Sequence, residues 1–85
     1  MIRLNVKQND RVQVVSFIEK KELQSWLYSY AIGLLALEYK KTLTICKKLT
    51  DQIWEANVGS AVKYQHITFA VAGKSRAGNI MLGGK

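Results

Sequence analysis

Apolar and polar residues alternate from the start of the chain. Ile2, Leu4 and Val6 interleave with Arg3, Asn5 and Lys7, a period of two that predicts a strand with one buried face. Gln8-Asn9-Asp10 follows, and Asn and Asp both tolerate left-handed backbone and bond their own main chain. Arg11-Val12-Gln13-Val14-Val15 resumes the alternation, so the pair reads as a β-hairpin. Read by parity alone, the apolar side chains take one face, and Arg3, Asn5, Lys7, Arg11 and Gln13 take the other.

The period then changes. Leu23, Trp26, Leu27, Tyr30, Leu34 and Leu37 recur at three and four, the signature of an amphipathic helix. Ser16 and Glu19 have the spacing of a capping box; if Phe17 and Ile18 instead extend the strand, the helix starts near Glu19. Glu22 falls in the first turn, where the helix dipole favours a carboxylate. A single helix from Phe17 to Asn57 would be roughly 60 Å long, too long for a domain of this size. The break is placed at Lys40-Lys41-Thr42-Leu43-Thr44, with Thr42 or Thr44 as the next cap and Gly33 as a second candidate for a kink. Ile45, Leu49 and Ile53 then repeat at four with Cys46 and Trp54 beside them, giving a second helix that Asn57 and Gly59 can end. A strand over Thr42–Lys47 is the competing reading, because Thr and Ile are β-branched.

Val62-Lys63-Tyr64-Gln65-His66 alternates again, and Ile67, Phe69 and Val71 continue on the opposite parity. That slip predicts a bulge or a strand buried on both faces. Gly73 to Gly78 reads as a loop, Asn79 to Leu82 as a last short strand, and Gly83-Gly84-Lys85 as a fraying tail. The order is ββααββ: one α+β domain over residues 1–85, an antiparallel sheet with two helices packed on one face.

Composition narrows the function. The chain has 85 residues, 48% of them apolar, which excludes disorder and leaves room for one domain with a thin core. A homodimer would relieve that thinness. Cys46 is the single cysteine, so no internal disulfide or two-cysteine metal site can form; no cofactor or metal is expected, and the lone thiol fits a reducing, cytoplasmic setting. The N-terminus has no signal-peptide h-region, and the apolar run Trp26–Leu37 is shorter than the ~17 residues a membrane span needs.

Catalytic chemistry finds little support. His66 and Cys46 could form a base–nucleophile pair, but a cysteine beside Ile45 and Leu49 reads as a small hydrophobe. Glu19 and Glu22 flank Lys20 and Lys21 and read as first-turn helix charges. Ala72-Gly73-Lys74-Ser75 resembles the end of a phosphate-binding P-loop, yet Thr68 stands where the motif needs glycine and a strand follows where a helix should. A non-enzymatic module is therefore expected.

Charge is the stronger signal. Thirteen Lys plus Arg against six Asp plus Glu leave +7. With the helices on the apolar face, the other face of the sheet is basic, and one-signed faces attract polyanions. The expected contacts to nucleic acid are Arg3, Lys7, Arg11 and Lys63, with Lys74 and Arg76 from the 73–78 loop. Lys40-Lys41 and Lys47-Lys48 lie two helical turns apart and could line one helix edge. The alternative is a protein-binding regulator, an inhibitor or adaptor docking on an acidic protein, or a homodimer, through an edge strand or an apolar helix patch.

Overall fold

In a computed structural model, residues 1–35 and 38–75 are described, with the side chains of 31–35 left aside. Among the described residues six elements run in the order β1 (Ile2–Gln8), β2 (Arg11–Phe17), α1 (Lys20–Leu35), α2 (Tyr39–Glu55), β3 (Ala61–Tyr64) and β4 (Ile67–Lys74). The strands form one antiparallel sheet of order β2-β1-β4-β3. Its centre therefore pairs the first of the described strands with the last of them. The α+β class, the ββααββ order and the antiparallel sheet are as expected.

Both hairpins close through two residues. Asn9 takes the left-handed conformation (φ 56°) and Gln8 pairs with Arg11. Gln65 does the same (φ 54°), and Tyr64 pairs with Ile67. The parity slip at His66-Ile67 is thus neither a bulge nor a doubly buried strand. It is a turn, hidden from composition because neither Gln65 nor His66 is a usual turn residue. A register shift does occur, at the far end of β4: Val71 pairs with Leu4 but Gly73 pairs with Arg3, leaving Ala72 as the extra residue. Gly73 and Lys74 consequently belong to β4 and not to a loop. Ser75 exchanges hydrogen bonds with Met1, at 2.9 and 2.6 Å; the expected loop from Arg76 on, the strand at 79–82 and the tail at 83–85 lie outside the described residues.

The core is one cluster between the sheet and the two helices. Ile2, Leu4, Val6, Phe17, Ile67, Phe69 and Val71 rise from the sheet. Leu23 and Leu27 meet them from α1, and Cys46, Leu49 and Ile53 from α2. Trp26 lies half-buried over this layer. Its ring stacks on Tyr30 at 4.8 Å, stands edge-on to Phe69 at 6.4 Å and tilts against Phe17 at 5.7 Å. Such pairs add about 0.5–1.5 kcal/mol each beyond the area they bury.

The helix ends differ from expectation in instructive ways. Ser16 stays in β2, and the cap comes from Glu22, whose Oε1 accepts from the amides of Ile18 and Glu19, both at 2.8 Å. These two amides hold the Glu22 carboxyl below its usual range, that of Glu19 contributing most. α1 runs unbroken through Gly33 to Leu35, and residues 40–44 already lie within α2, so the expected break is not there. Residues 42–47 are helical, so the strand alternative fails. Thr42 and Thr44 are not caps: their hydroxyls donate back to the carbonyls of Glu38 and Lys40. Thr50 does the same to Cys46. Back-bonding satisfies the hydroxyl inside the helix, and this lets Thr42 and Thr50 be fully buried. Gly59 (φ 94°) does not end α2. It sits in the turn into β3, where Ser60 N–H donates to Asn57 O.

Candidate nucleic-acid interface

Register decides which side chains share the open face of the sheet. On β1 these are Arg3, Asn5 and Lys7, all exposed and opposite in sense to the buried Ile2, Leu4 and Val6. Across β4 they pair with Gly73, Ala70 and Thr68. Beyond β4, Thr68 and Ala70 pair with Lys63 and Ala61 of β3. Lys7, Thr68 and Lys63 therefore form one row, with the two lysine backbones roughly 10 Å apart, and Arg3 lies roughly 13 Å along β1 from Lys7. Between these cations the surface is low, built from Ala61, Thr68, Ala70 and Gly73. The Arg3 side chain lies across Gly73, where an added Cβ would come 3.4 Å from Nη2. The glycine leaves the guanidinium room to lie on the sheet.

The second strand departs from the expected face. Gln8 pairs with Arg11, Val6 with Gln13 and Leu4 with Val15, so Arg11 and Gln13 stand on the helix side. Val12, Val14 and Ser16 stand on the open face opposite Lys7, Asn5 and Arg3. The two-residue turn forces this: paired residues share a face, so residue 12 must side with residue 7. Arg11 is exposed at the rim, and the open face gains two exposed valines in place of a basic residue and a glutamine.

Lys74 is placed differently again. Its ammonium donates to the carbonyls of Trp54 at 2.6 Å and Ala56 at 3.0 Å. No basic residue lies in the last turn of α2, and a cation there opposes the negative end of the helix dipole. Lys74 thus ties β4 to the end of α2. The structure brings Arg3, Lys7 and Lys63 together, sets Arg11 at the rim, and turns Lys74 to the helix side; Arg76 lies outside the described residues.

The carboxylates are elsewhere. Asp10 is in the first turn, and the other five lie in α1, α2 or directly before them. Among the described residues, the ion pairs are Lys20–Asp51 at 2.8 Å, which raises the Lys20 pKa chiefly through the hydrogen bond to Asp51, and Lys21–Glu19 at 3.6 Å. Both are on the helix side and leave the open face one-signed.

Other groups resolve into structure. Cys46 is fully buried, and burial pushes its thiol pKa up, opposite to what a nucleophile needs. His66 joins a short chain that sequence reading missed. Tyr30 Oη donates to Gln8 Oε1 at 2.7 Å, and Gln8 Nε2 reaches His66 Nε2 at 3.1 Å. This chain links α1 to the turn ends of both hairpins, and nothing local marks it because Gln8 and His66 are 58 positions apart. Among the described residues no group of His, Cys, Asp and Glu could hold a metal ion, and no helix is long and apolar enough to cross a membrane. Lys40 and Lys41 edge an open cleft of about 360 Å3 whose floor is Thr44, Ile45 and Tyr64; Lys47 and Lys48 are simply exposed on α2.

No family model matches the chain, and neither a curated protein nor a solved structure matches it.

Proposed function

We propose that this protein is a non-enzymatic module that binds the phosphate backbone of nucleic acid through the open face of its sheet. The observation that carries this reading is the arrangement of Arg3, Lys7 and Lys63 on one flat face that holds no carboxylate. Their spacing suits several phosphates at once. The face has no aromatic side chain on which bases could stack, so contact is electrostatic and carries little sequence readout. Arg11 adds to the field from the rim. A buried, uncharged thiol fits a reducing cytoplasm, where such a module would meet its polyanion.

A salt titration of binding to a labelled DNA or RNA oligonucleotide tests the proposal. Three phosphate contacts give a log–log slope of about −2 to −3. Replacing Arg3, Lys7 and Lys63 together by glutamine should abolish binding at ~50 mM salt, where phosphate contacts dominate affinity, while Lys47→Gln with Lys48→Gln keeps most of it. Absence of binding by the parent at that salt removes the proposal. Loss only on changing Lys47 and Lys48 moves the site to α2.

A further inference from the structure

Among the described residues the sheet has two edges, and they are not alike. β3 is four residues long and carries Lys63, the usual means of discouraging another strand from pairing. β2 is seven residues long and has no proline and no register shift against β1; its single charge is Arg11, at one end. Three of the exposed large apolar residues follow one side of it: Val12 at 64%, Val14 at 61% and Ile18 at 75% exposure.

The hydrogen-bond phase of the sheet shows which groups that edge offers. Val71 N–H donates to Ser60 O, and Gly59 N–H donates to Val71 O, so Val71 faces the β3 side. By alternation Ala70 and Thr68 face β1, Gln8 and Val6 face β2, and Gln13 and Val15 face β1 in return. Val12, Val14 and Ser16 are left with N–H and C=O turned outward.

We infer that the free edge of β2 pairs antiparallel with β2 of a second copy, about a two-fold axis at Val14. This register matches the strand to itself. Val14 meets Val14, and Val12 meets Ser16, so each outward N–H finds a C=O. On the open face the valines join, with Ile18 of one copy diagonal to Val12 of the other. On the helix side Gln13 meets Val15 and Arg11 meets Phe17, and no like charges stand opposite one another. The result is an eight-stranded sheet whose open face presents Arg3, Lys7 and Lys63 twice, continuous across the axis. A strand-edge contact is smaller than a standard interface, so the dimer is expected in the range of about 1–100 μM. The inference stands apart from nucleic-acid binding, and salt separates the two: screening the +7 of each chain tightens the dimer and loosens the polyanion.

Sedimentation equilibrium of the full chain without nucleic acid, from about 1 μM to 1 mM at two salt concentrations, is the test, because it brackets the expected range. A dimer, at twice the 9.6 kDa chain mass, is expected at the upper concentrations. Val14→Lys should weaken it at least tenfold, and Val58→Lys, at an exposed valine away from this edge, should not. Circular dichroism melts confirm that each variant stays folded. A second variant reads the register directly: Val14→Cys in a Cys46→Ala background should cross-link to itself under mild oxidation, because hydrogen-bonded partners lie about 5.5 Å apart at Cα. Ile18→Cys in the same background should not. A parent that remains monomeric throughout overturns the inference, as does a dimer that Val14→Lys leaves intact or one that cross-links at Ile18 and not at Val14.

Discussion

β1 and β2 are neighbours of equal length, and both alternate in sequence, yet they end as opposites. β1 alternates buried and exposed along nearly its whole length, with Ile2, Leu4 and Val6 inside and Arg3, Asn5 and Lys7 outside. β2 is exposed at its first four positions and becomes buried only at Phe17. Val12 and Val14 point to the open face, and Arg11, Gln13 and Val15 point to the helix side. The difference lies in position. β1 is central and both its flanks are paired, so the helices cover one of its faces and alternation reports that cover. β2 is an edge strand whose first four residues are left exposed on both faces, so its alternation does not report a covered face. Alternation identifies a strand; which face is covered follows from the register and from the width of the helix layer.

The largest break in this comparison comes from removing one side chain of each kind. Leu4→Ala should cost about 2–5 kcal/mol, as should Leu27→Ala and Leu49→Ala beneath the same layer, because all three are buried. Val14→Ala should change monomer stability by less than about 0.5 kcal/mol. Chemical denaturation at low protein concentration, where dimers do not contribute, checks both. Equal costs for Leu4 and Val14 would mean that β2 is covered on its outer face within a single chain.

Charge sharpens the same contrast in binding. Arg3→Gln, on β1, should reduce the magnitude of the salt slope by about 0.9, and Arg11→Gln, on the rim of β2, by clearly less. Neither should move the melting midpoint by more than a degree or two, since exposed charges contribute little to stability. Lys74→Ala should behave in the reverse way, costing about 0.3–1 kcal/mol through the loss of its contacts to the α2 end while the slope is unchanged. A steep loss of slope with Lys74→Ala would return that residue to the binding face.

The smallest expected effect concerns the junction that follows β2. Glu22 has its carboxyl pKa lowered in the fold by the amides of Glu19 and Ile18. Its stabilisation is therefore complete above the unfolded carboxylate range and is lost as pH falls through the folded value. Between about pH 6 and pH 3, the melting midpoint of the parent should fall further than that of Glu22→Gln. Parallel curves for the two proteins would show that the cap is idle.

Much of the fold could be read because its signals are local. The first strand, the helix positions Leu23 and Leu27, and the packing of Cys46 all follow from periodicity. What escaped depends on distant partners or on exceptions to residue preference. Gln65 adopts left-handed backbone without being Gly or Asn. Thr42 and Thr50 enter the core because their hydroxyls bond their own helix. Lys74 reads as a loop cation until Trp54 and Ala56, far back in the chain, are brought to it. The open-face cluster of Arg3, Lys7 and Lys63 was legible from parity. The placement of Arg11 was legible in principle too, from the length of the turn: two residues set it beside Gln8 on the helix side, and three would have set it beside Lys7.

The pairing of β1 with β4 at the centre of the sheet also governs how the molecule must be made. Ile2 waits for Lys74, and Gln8 for Ile67, so a strand made about 50 residues after β2 completes the middle. At synthesis rates of about 5–20 residues per second, the interval between β2 and β4 lasts roughly 3–12 s. During that time β1 and β2 form at most a two-stranded ribbon, which is marginal by itself in water and shows Ile2, Leu4 and Val6 to solvent. Contacts so far apart in sequence also slow folding once the chain is complete. A nascent chain stalled before residue 67 should therefore hold chaperones, and one released after residue 75 should not.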